Sequence, residues 1–559
     1  MAKAIYLINP ACDIPTYFGA EVYAANGFRP VTLMADLAVA TLAAMAPSDF
    51  EIRLCDENIS PVDFDCAPDW VGITGKITQW GHMRNIAREF RRRGKIVVIG
   101  GPYASLCPAV VCPYCDILVR GEVEDIAEEL FSDLRGGGWK TEYVGSMPDL
   151  SHSPRPRWDL YPNDRALSGT VQTSRGCPFE CEFCDVIEYL GRKQRHKPVV
   201  QVLGELDALY RIGHRFVFLA DDNFTAYRGR AKELLAALRD WNSRRDRGEI
   251  GFTTQVSIDA AKDEELLELC AEAGLTHVFI GIETPNEDSL RETKKHQNLR
   301  INLADQVQRF LDHGIAVTGG MIVGFDSDGP DIFDRQYEFA MSTPIPIFSL
   351  GALVAPAATP LHERMAGEGR LVSGASEVAA APWNTNIVPR QMTREQLLEG
   401  IQRLCNKLYQ PAAFGERVLR FMAALGRHGG PRRTKTKRGP VGDLRAVDHD
   451  SLALLSKLER FGPQEREMGS RITRELYKKP ELLGFVVGSL LQYMQIRYMY
   501  CTSRDDSGNP TRLKNRHGSS CHPLGEDRPS RRPRSVQKLD RRGFVGILSW
   551  LKRRGDRLI

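Results

Sequence analysis

The sequence predicts an α/β protein with two successive strand–helix series and a helical region after them. Residues 1–140 alternate short apolar runs with helical patterns, and a second alternation of the same kind begins near residue 168. Between them lies Ser146–Pro162, which contains four prolines. Proline removes backbone donors and interrupts regular structure, so this stretch is expected to be a linker. Strand–helix alternation favours parallel sheets covered by helices on both faces.

The first series predicts a Rossmann-like sheet of five strands. Ligands on such sheets bind beyond the carboxyl ends of the strands. The expected strands are Ala4–Asn9, Glu51–Cys55, Trp70–Thr74, Ile96–Gly100 and Ile117–Arg120, with helices at Leu37–Met45, His82–Arg93 and Asp125–Leu134.

The second series predicts six strands, with helices such as Gln201–Tyr210 and Arg230–Asn242 between them. Active sites of β/α barrels gather at the carboxyl ends of the strands. The expected strands are Thr170–Arg175, Phe216–Ala220, Gly251–Val256, His277–Gly281, Ala316–Val323 and Ile347–Val354.

Composition places the chain among globular proteins with reduced cysteines. Its 559 residues suffice for three or four domains, and 13 cysteines in a chain of this length do not suggest a disulfide scaffold. The opening M-A-K-A-I-Y-L-I-N-P lacks a long apolar core and predicts a strand, so a cytoplasmic location is expected. No run of 18 apolar residues predicts a membrane span.

Positive charge is concentrated in the last 59 residues of the sequence, 501–559. The net charge is +4, but residues 501–559 hold 15 Lys and Arg against 6 Asp and Glu. This asymmetry indicates a basic tail, so no nucleic-acid partner is expected. Arg541–Arg554 combines an apolar core with flanking arginines, which suits peripheral contact with an anionic membrane surface. A docking helix and a tail without function are alternatives of equal weight.

Three cysteines in the run R-G-C-P-F-E-C-E-F-C are the most informative feature of the chain. Cys177, Cys181 and Cys184 have the spacing Cys-x3-Cys-x2-Cys, which lets one loop present three thiolates to one cluster. Proteins normally hold a 4Fe–4S cluster with four thiolates, so three would leave one iron open. A zinc site would require a fourth protein ligand, and none follows within the loop. Three unrelated buried thiols are a further alternative.

This loop resembles that of the radical S-adenosylmethionine (SAM) superfamily, which has the same spacing and an aromatic residue before the last cysteine, here Phe183. The resemblance implies a 4Fe–4S cluster on the three cysteines and S-adenosylmethionine chelated to the open iron. It also implies a partial (β/α)6 barrel, cleavage of SAM to a 5′-deoxyadenosyl radical, and an external electron donor such as flavodoxin or ferredoxin.

Polar residues at successive strand ends are expected to contact SAM. Asp222 and Asn223 stand where the family places its contact to the SAM amino group, although a turn rich in Asp and Asn is an alternative. Gln255 and Ser257 fit ribose hydroxyls, and Glu283 follows a buried apolar run, where a carboxylate needs a polar partner. The glycines of 319–326 would allow adenine close access to the backbone. No catalytic side chain is assigned.

The first domain resembles the cobalamin-binding Rossmann-like domain. Its predicted contacts lie at the carboxyl ends of the strands: Thr74, Gly100, Gly101, Pro102, Gly121 and Glu122. Many such domains carry a histidine that ligates cobalt from below, but the comparable stretch here, Cys55–Ser60, has none. Cobalamin is therefore expected without that ligand. A degenerate domain kept for packing is the alternative.

A second cysteine group, Cys107, Cys112 and Cys115, has the spacing Cys-x4-Cys-x2-Cys. It could hold another cluster. It lies where a helix between the fourth and fifth strands is expected, so ordinary buried thiols are the preferred interpretation.

The chain after the barrel resembles an extension found in a subset of cobalamin-type radical SAM proteins that includes hopanoid methylases, with plain helical packing as the alternative. The segments that carry this resemblance are Asn384–Met392 and Tyr409–Arg417. Val354–His362 resembles the extended segment that follows the barrel in cobalamin-type radical SAM proteins. The expected division of the chain is 1–145 cobalamin domain, 146–167 linker, 168–360 barrel, 361–426 helical extension, 427–445 basic loop, 446–500 helical segment and 501–559 largely disordered tail.

These resemblances imply a radical SAM enzyme that methylates an unactivated carbon with cobalamin as methyl carrier. Ring formation or rearrangement by the same cofactors is a second interpretation. A cofactor-dependent sensor is a third, disfavoured because sensing would not need the polar series in the barrel. The substrate is expected to be a small molecule, with a weak preference for a lipid-like one.

Overall fold

The computed structural model describes residues 3–245, 248–379, 381–425 and 445–502. The basic loop predicted at 427–445 lies outside these residues except for Arg445. The tail predicted at 501–559 lies outside them except for residues 501 and 502, so its membrane-directed segment Arg541–Arg554 also lies outside.

The strands form two large sheets and one short pair. In chain order they are β1 Lys3–Asn9, β2 Thr32–Met34, β3 Phe50–Asp56, β4 Trp70–Thr74, β5 Ile96–Gly100, β6 Ile117–Arg120, β7 Glu142–Val144, β8 Ala166–Val171, β9 Ser174–Arg175, β10 Arg195–His196, β11 Phe216–Leu219, β12 Gly251–Val256, β13 Leu275–Glu283, β14 Ala316–Val323 and β15 Phe348–Ala352.

The helices connect these strands and then continue alone. In chain order they are α1 Glu21–Ala25, α2 Leu37–Met45, α3 Trp80–Arg92, α4 Pro102–Leu106, α5 Pro108–Val111, α6 Ala127–Gly136, α7 Val186–Leu190, α8 Val199–Ile212, α9 Arg228–Asn242, α10 Glu264–Ala273, α11 Glu287–Glu292, α12 Leu303–Asp312, α13 Ile332–Ser342, α14 Pro360–Gly367, α15 Arg394–Leu408, α16 Pro411–Ala424, α17 Ala446–Leu455, α18 Pro463–Leu476 and α19 Leu483–Thr502.

The first sheet is parallel throughout, in the order β3-β1-β4-β5-β6-β7. All five expected strands are present, and β7 adds a sixth at the edge. A core that includes Ile8, Val71, Ile99 and the helix residues Met83 and Phe90 covers one face. The expected α/β architecture is confirmed here, and the carboxyl ends of its strands lie along one edge.

The second sheet is the partial barrel, in the order β15-β14-β13-β12-β11-β8-β2 and again parallel. Five of the six expected strands are confirmed, and the first lies earlier in the chain, as β8. The N-terminal strand β2 adds a seventh: Thr32 pairs with Ala166 and Met34 with Ser168. The Ser168 hydroxyl also donates to the Leu33 carbonyl at 2.8 Å. Three residues, T-L-M, are too short for periodicity to reveal a strand.

The first barrel strand ends earlier than expected. The sequence predicts a strand over Thr170–Arg175, but β8 ends at Val171. The Asp221 carboxylate then accepts hydrogen bonds from the backbone N–H groups of Thr173 and Ser174, at 2.8 and 2.6 Å. These bonds turn the chain into β9, which pairs antiparallel with β10.

The C-terminal helices pack against the N-terminal segment beside the barrel. Gln495 of α19 donates to the Thr16 carbonyl at 3.0 Å and accepts from the Val22 N–H at 3.1 Å. Tyr500 packs edge-to-face on Tyr17 and lies beside Tyr409. None of the described helices has both the length and the apolar composition needed to cross a bilayer.

Candidate active site

The cysteine loop begins at a glycine that no other residue could replace. Gly176 has φ = +93°, and a Cβ there would lie 2.8 to 3.1 Å from the carbonyl oxygens of Gly191, Lys193 and Leu190. Its N–H donates to an Asp222 carboxylate oxygen at 3.2 Å. The loop is therefore fixed at its start against both the 190–193 turn and the end of β11.

Ionic and backbone contacts hold the middle of the loop. Arg364 of α14 donates from two guanidinium nitrogens to the Glu182 carboxylate, at 2.7 and 3.0 Å. The Glu182 N–H donates to the Thr293 carbonyl at 3.0 Å. Bidentate arginine–carboxylate pairs fix orientation as well as distance. The extension after the barrel thus positions the segment between the second and third cysteines.

The three thiols are shielded to different degrees. Cys181 is buried, whereas Cys177 and Cys184 are half-buried. Burial raises the pKa of Cys177 and raises that of Cys184 to about 12. Both thiols stay protonated at neutral pH unless a metal displaces the proton. Gln297 donates to the Cys181 sulfur at 3.6 Å.

A zinc interpretation gains no geometric support. Among the described residues, no group of three or more His, Cys, Asp or Glu side chains is arranged to hold a single metal ion. Zinc draws its thiolate sulfurs to about 2.3 Å from one centre. Three cysteines in one loop without a fourth ligand keep the cluster as the interpretation that the spacing favours.

Asp221 and Asp222, which follow β11, have different contacts. Asp221 is fully buried and holds the backbone before the cysteine loop. Burial raises the pKa of Asp222 to about 6, although its hydrogen bond from Gly176 opposes that change. Asp222 therefore lies beside the cysteine loop, as expected for a residue at the SAM site. Its contact with SAM stays a prediction.

Asn223, Ser257 and Gln255 lie together. The Asn223 amide donates to the Ser257 hydroxyl at 2.6 Å, and the Asn223 carbonyl accepts from Gln194 at 2.9 Å. The Gln255 carbonyl accepts from the Phe224 N–H at 2.9 Å. Their roles toward the ribose stay predictions.

Glu283 ends β13 in a strained conformation. It has φ = +64°, and the β13–β14 register shifts between Gly281 and Glu283. Its carboxylate accepts from the Lys295 ammonium at 2.7 Å, and both side chains are buried. Burial would lower the pKa of Lys295, but Glu283 and then the Cys181 sulfur keep it raised. A strained carboxylate held beside the cysteine loop is typical of a functional position.

The glycines of β14 face aromatic rings instead of open space. A Cβ on Gly319 would lie 2.7 Å from the Phe348 ring, and one on Gly320 would lie 2.9 Å from Phe279. Packing on the two faces of β14 therefore already favours glycine at both positions.

The predicted cobalamin contacts gather at the carboxyl edge of the first sheet. Gly101 has φ = +91°, and a Cβ there would lie 2.5 Å from the Thr74 hydroxyl. Gly121 has φ = +74° and donates its N–H to Ser105 at 2.9 Å. Pro102 starts α4, which packs on α7 of the cysteine loop region. These residues, with Gly100, bring the edge against the barrel rim.

Glu122 makes an interdomain ion pair. It is buried and accepts from Arg175, which directly precedes Gly176, and from Arg195 at 2.9 Å. Glu124 pairs with Arg175 at 2.7 Å, and its side chain is 2% exposed. We call these four side chains the acidic clasp. The clasp joins the end of β6 to the start of the cysteine loop.

The second cysteine group lies on the first domain in an interrupted helical stretch. Pro108 and Pro113 divide it into α5 and a single 3₁₀ turn. Cys107 is buried, Cys112 is exposed and Cys115 is half-buried. The group shows no metal-holding arrangement.

Lys295 and the two clasp arginines are not among the residues that the sequence predicts at the site. Arg175 stands in the same S-R-G-C run as the cysteines, but its carboxylate partners lie more than 50 residues earlier. Lys295 comes from a turn after α11. No spacing in the sequence links either residue to its partners.

Comparisons with known proteins agree with this geometry. Residues 171–339 match the radical SAM superfamily, and residues 359–459 match a domain of unknown function, DUF4070. An uncharacterised methyltransferase of Synechocystis sp. is 36% identical over 432 residues, covering 76% of this chain and 79% of the relative. This chain belongs to the radical SAM family of methyltransferases.

Other relatives of this radical SAM enzyme carry more specific names. The hopanoid C-2 methylase of Rhodopseudomonas palustris is 34% identical over 344 residues, which cover 59% of the chain and 64% of that protein. The bacteriochlorophyllide d C-12(1)-methyltransferase of Chlorobaculum tepidum is 27% identical, covering 67% of the chain and 83% of that protein.

Solved structures share the fold. The cobalamin-dependent SAM radical enzyme OxsB, with aqua-cobalamin and SAM bound, has a TM-score of 0.57 and 14% identity and covers 91% of this chain and 84% of its own. The radical SAM methyltransferase TsrM of Kitasatospora setae, with tryptophan and a SAM analogue bound, has a TM-score of 0.53 and 20% identity, covering 66% and 76%. The combination of a Rossmann-like domain and a partial barrel is thus confirmed.

Proposed function

We propose that this enzyme methylates an unactivated carbon, with cobalamin as methyl carrier and SAM cleaved at a cluster on Cys177, Cys181 and Cys184. One observation carries the proposal. The acidic clasp and the α4–α7 contact bring the carboxyl edge of the first sheet against the cysteine loop of the barrel. Ligands of parallel sheets bind at such edges, so two cofactors would meet there.

The cysteine loop fits a 4Fe–4S cluster. Its three thiols come from one loop whose backbone is fixed at Gly176 and Glu182. When bound and reduced, the cluster supplies the electron that cleaves SAM into methionine and a 5′-deoxyadenosyl radical. The chain's part is to hold the loop, to leave one iron open to SAM and to exclude water with Phe183, which packs on Phe325.

Cobalamin is proposed to bind at the carboxyl edge of the first sheet, where Gly101 and Gly121 take positive φ angles and turn the chain. The stretch Cys55–Ser60 supplies no histidine as a ligand. Glu57 of that stretch is already bound by the Ala11 N–H and by His82, at 2.9 and 3.0 Å. When bound, cobalamin carries the methyl group between SAM and the substrate.

The barrel residues would orient SAM. Asp222 and Asn223 are proposed for its amino group, Gln255 and Ser257 for its ribose, and Glu283 for a further polar contact. An acidic side chain near the SAM ammonium stabilises it in a partly buried site. The Lys295 ammonium holds the Glu283 carboxylate at 2.7 Å, which supports this assignment.

The substrate is proposed to be a small molecule of lipid-like character, in keeping with the extension and with relatives named for hopanoids and bacteriochlorophyllides. An external reductant such as flavodoxin or ferredoxin would supply electrons.

Anaerobic assay with SAM labelled at its methyl group tests the proposal. We expect 5′-deoxyadenosine and transfer of the label into product, together with iron, sulfide and corrinoid in the purified protein. 5′-Deoxyadenosine without labelled product would favour ring formation or rearrangement. Absence of both would reject a radical SAM methyltransferase.

A further inference from the structure

The second cysteine group consists of a close pair and a third cysteine with separate contacts. Cys107 is buried in the core of the first domain, and its sulfur lies 4.0 Å from the Ser376 carbonyl oxygen. The Cys115 sulfur lies instead 3.7 Å from the carbonyl oxygen of Cys112 and 3.9 Å from that of Val111. Among the described residues, no three side chains here are arranged to hold one metal ion. The group therefore reduces to the pair Cys112 and Cys115.

Cys112 and Cys115 lie at the two ends of one tight turn. The Cys115 N–H donates to the Cys112 carbonyl at 3.4 Å, which closes the single 3₁₀ turn Cys112–Tyr114. The first and fourth residues of such a turn have Cα atoms less than about 7 Å apart. Disulfides join residues whose Cα atoms are about 4.4 to 6.8 Å apart. The turn thus holds the two cysteines at a separation from which a disulfide can form.

Arginines of α3 fix this turn. Arg91 donates to the Pro113 carbonyl at 3.0 Å and pairs with Asp116, directly after the turn, at 3.2 Å. Arg88 lies over the Tyr114 ring, with its guanidinium carbon 4.9 Å from the ring centroid. Because the turn is already formed and held, joining its two ends would cost little further conformational entropy.

The two thiols differ in their access to solvent. Cys112 is exposed, so the expectation of buried thiols is wrong for this residue. Cys115 is half-buried, and burial together with the neighbouring Cys112 thiol raises the pKa of Cys115 to about 12. A reactive thiol must be accessible, and its thiolate is the form that attacks. Cys112 is therefore the thiol that an external molecule can reach, and Cys115 lies behind it.

We propose that Cys112 and Cys115 form a redox-active dithiol that a small-molecule disulfide oxidises to an intramolecular disulfide. Cys-x2-Cys beside strand–helix–strand units is the spacing typical of such dithiols. This site is separate from the proposed SAM and cobalamin chemistry.

The exchange proceeds in two balanced steps. The Cys112 thiolate attacks one sulfur of the disulfide RS–SR, forms a mixed disulfide and releases RS⁻, which takes up the proton that Cys112 lost. Cys115 then loses its proton and attacks the Cys112 sulfur, and the second RS⁻ leaves and takes up that proton. In sum, the two protein thiols lose two electrons and two protons, and RS–SR is reduced to two RSH.

Equilibration of the reconstituted full-length protein with mixtures of reduced and oxidised glutathione, without oxygen, tests the inference. Free thiols are then alkylated in denaturant, and mass spectrometry follows the tryptic peptide 96–120, which carries Cys107, Cys112 and Cys115. We expect a Cys112–Cys115 disulfide whose fraction rises with the ratio of oxidised glutathione to the square of reduced glutathione. Cys107 should be alkylated throughout. A dithiol that persists at every ratio, or a disulfide that includes Cys107, would overturn the inference.

Single variants separate the roles of the two thiols. Cys115→Ser should keep one glutathione on Cys112, because nothing then resolves the mixed disulfide. Cys112→Ser should take up glutathione at Cys115 at least about 10-fold more slowly, since the Cys115 thiolate is scarce at neutral pH. Equal rates in the two variants, or no glutathione on Cys115→Ser, would contradict the proposed exchange.

Cys107→Ser and Cys66→Ser are the matched controls. Cys66 is half-buried on the same domain, and its sulfur lies 2.8 Å from the Asp63 carbonyl oxygen. Both variants should form the Cys112–Cys115 disulfide as the unsubstituted protein does, and its loss in either would refute a self-contained pair. The readout is confined to one peptide and does not use turnover. It therefore decides on the dithiol whether or not methyl transfer is observed.

Discussion

Arg175 and Glu122 form a buried ion pair between two domains, and Arg175 stands two residues before the first cysteine of the loop. The pair therefore fixes where the cysteine loop lies relative to the end of β6. Arg175 and Arg195 share the Glu122 carboxylate, and Glu124 pairs with the second terminal nitrogen of the Arg175 guanidinium. The acidic clasp therefore fixes the distance between a ligand at the carboxyl edge of the first sheet and a ligand at the cysteine loop.

Glu122→Gln should destabilise the protein and loosen the coupling of its two reactions. Removing one partner of a buried pair leaves uncompensated charge and costs on the order of 3 kcal/mol. Thermal unfolding should show a lower midpoint. In turnover, SAM cleavage should continue while less of the methyl label reaches product, because the domain edges are no longer held together.

The matched control is Glu142→Gln, which breaks the exposed Arg120–Glu142 pair at the neighbouring β6–β7 edge. Exposed pairs contribute about 0–1 kcal/mol, so this variant should behave like the unsubstituted protein. Equal effects of the two substitutions would refute a special role for the clasp.

Replacing any one of Cys177, Cys181 or Cys184 with serine should abolish the cluster. A hydroxyl is a poor substitute for a thiolate ligand, and two remaining ligands cannot hold four irons in place. Iron content and the visible absorption of anaerobically reconstituted protein measure the loss. Cys112→Ser serves as the control because Cys112 is exposed on the first domain, and we expect unchanged iron. A loss of iron in that variant would reveal a second cluster.

The Glu283–Lys295 pair should behave as a coupled unit. Glu283→Gln leaves the buried Lys295 ammonium without its carboxylate, and Lys295→Met leaves the opposite charge unpaired. We expect each single variant to be less stable than the double variant, with a coupling energy of about 2 kcal/mol. Thermal unfolding of all four proteins provides the cycle. Additive effects would show that the two charges do not support each other.

Measuring SAM binding by the same four proteins distinguishes a structural role of Glu283 from direct contact with SAM. If Glu283 contacts SAM, the double variant should regain stability without regaining SAM affinity. Recovery of both would assign the pair a purely structural role.

His214 should make the protein sensitive to acid. It is fully buried between Asn163 and Arg445, at 3.1 Å from each, and burial lowers its pKa to about 3. An unfolded histidine has a pKa of about 6.5, so the unfolded chain binds the proton first. Stability is therefore lost as pH falls below about 6.5, by about 2 kcal/mol between pH 6.5 and pH 5.

The change in thermal midpoint between pH 7 and pH 5 measures this sensitivity. His214→Gln should reduce the change, since glutamine takes up no proton. His152→Gln, at an exposed histidine, should leave it as it is. An identical pH dependence in all three proteins would exclude His214 as the source.

Local patterns in the sequence predict most of the fold. Strands such as Gly251–Val256 and Ala316–Val323 have the bounds that the sequence predicts, because apolar runs and flanking turn residues are properties of the chain nearby. The cysteine loop is equally local, since three ligands fall within eight residues. Its resemblance then leads to the family, which the comparisons confirm.

Interactions between distant residues cannot be predicted in this way. The sequence assigns Glu122 to a cofactor, but its structural partners Arg175 and Arg195 lie 53 and 73 residues away. The left-handed conformation of Glu283 depends on a register shift between β13 and β14, which no single segment encodes.

The strand β2 makes the two halves of the protein topologically inseparable. Strand β2, within the first 35 residues, forms one edge of the second sheet. The other strands of that sheet are synthesised more than 130 residues later. A fragment that begins at the proline-rich linker would lack β2. The backbone N–H and C=O groups along one edge of β8 would then be unpaired and could pair with another copy of the fragment. Swapping cofactor domains between relatives would therefore succeed only if the donor brought its own matching strand.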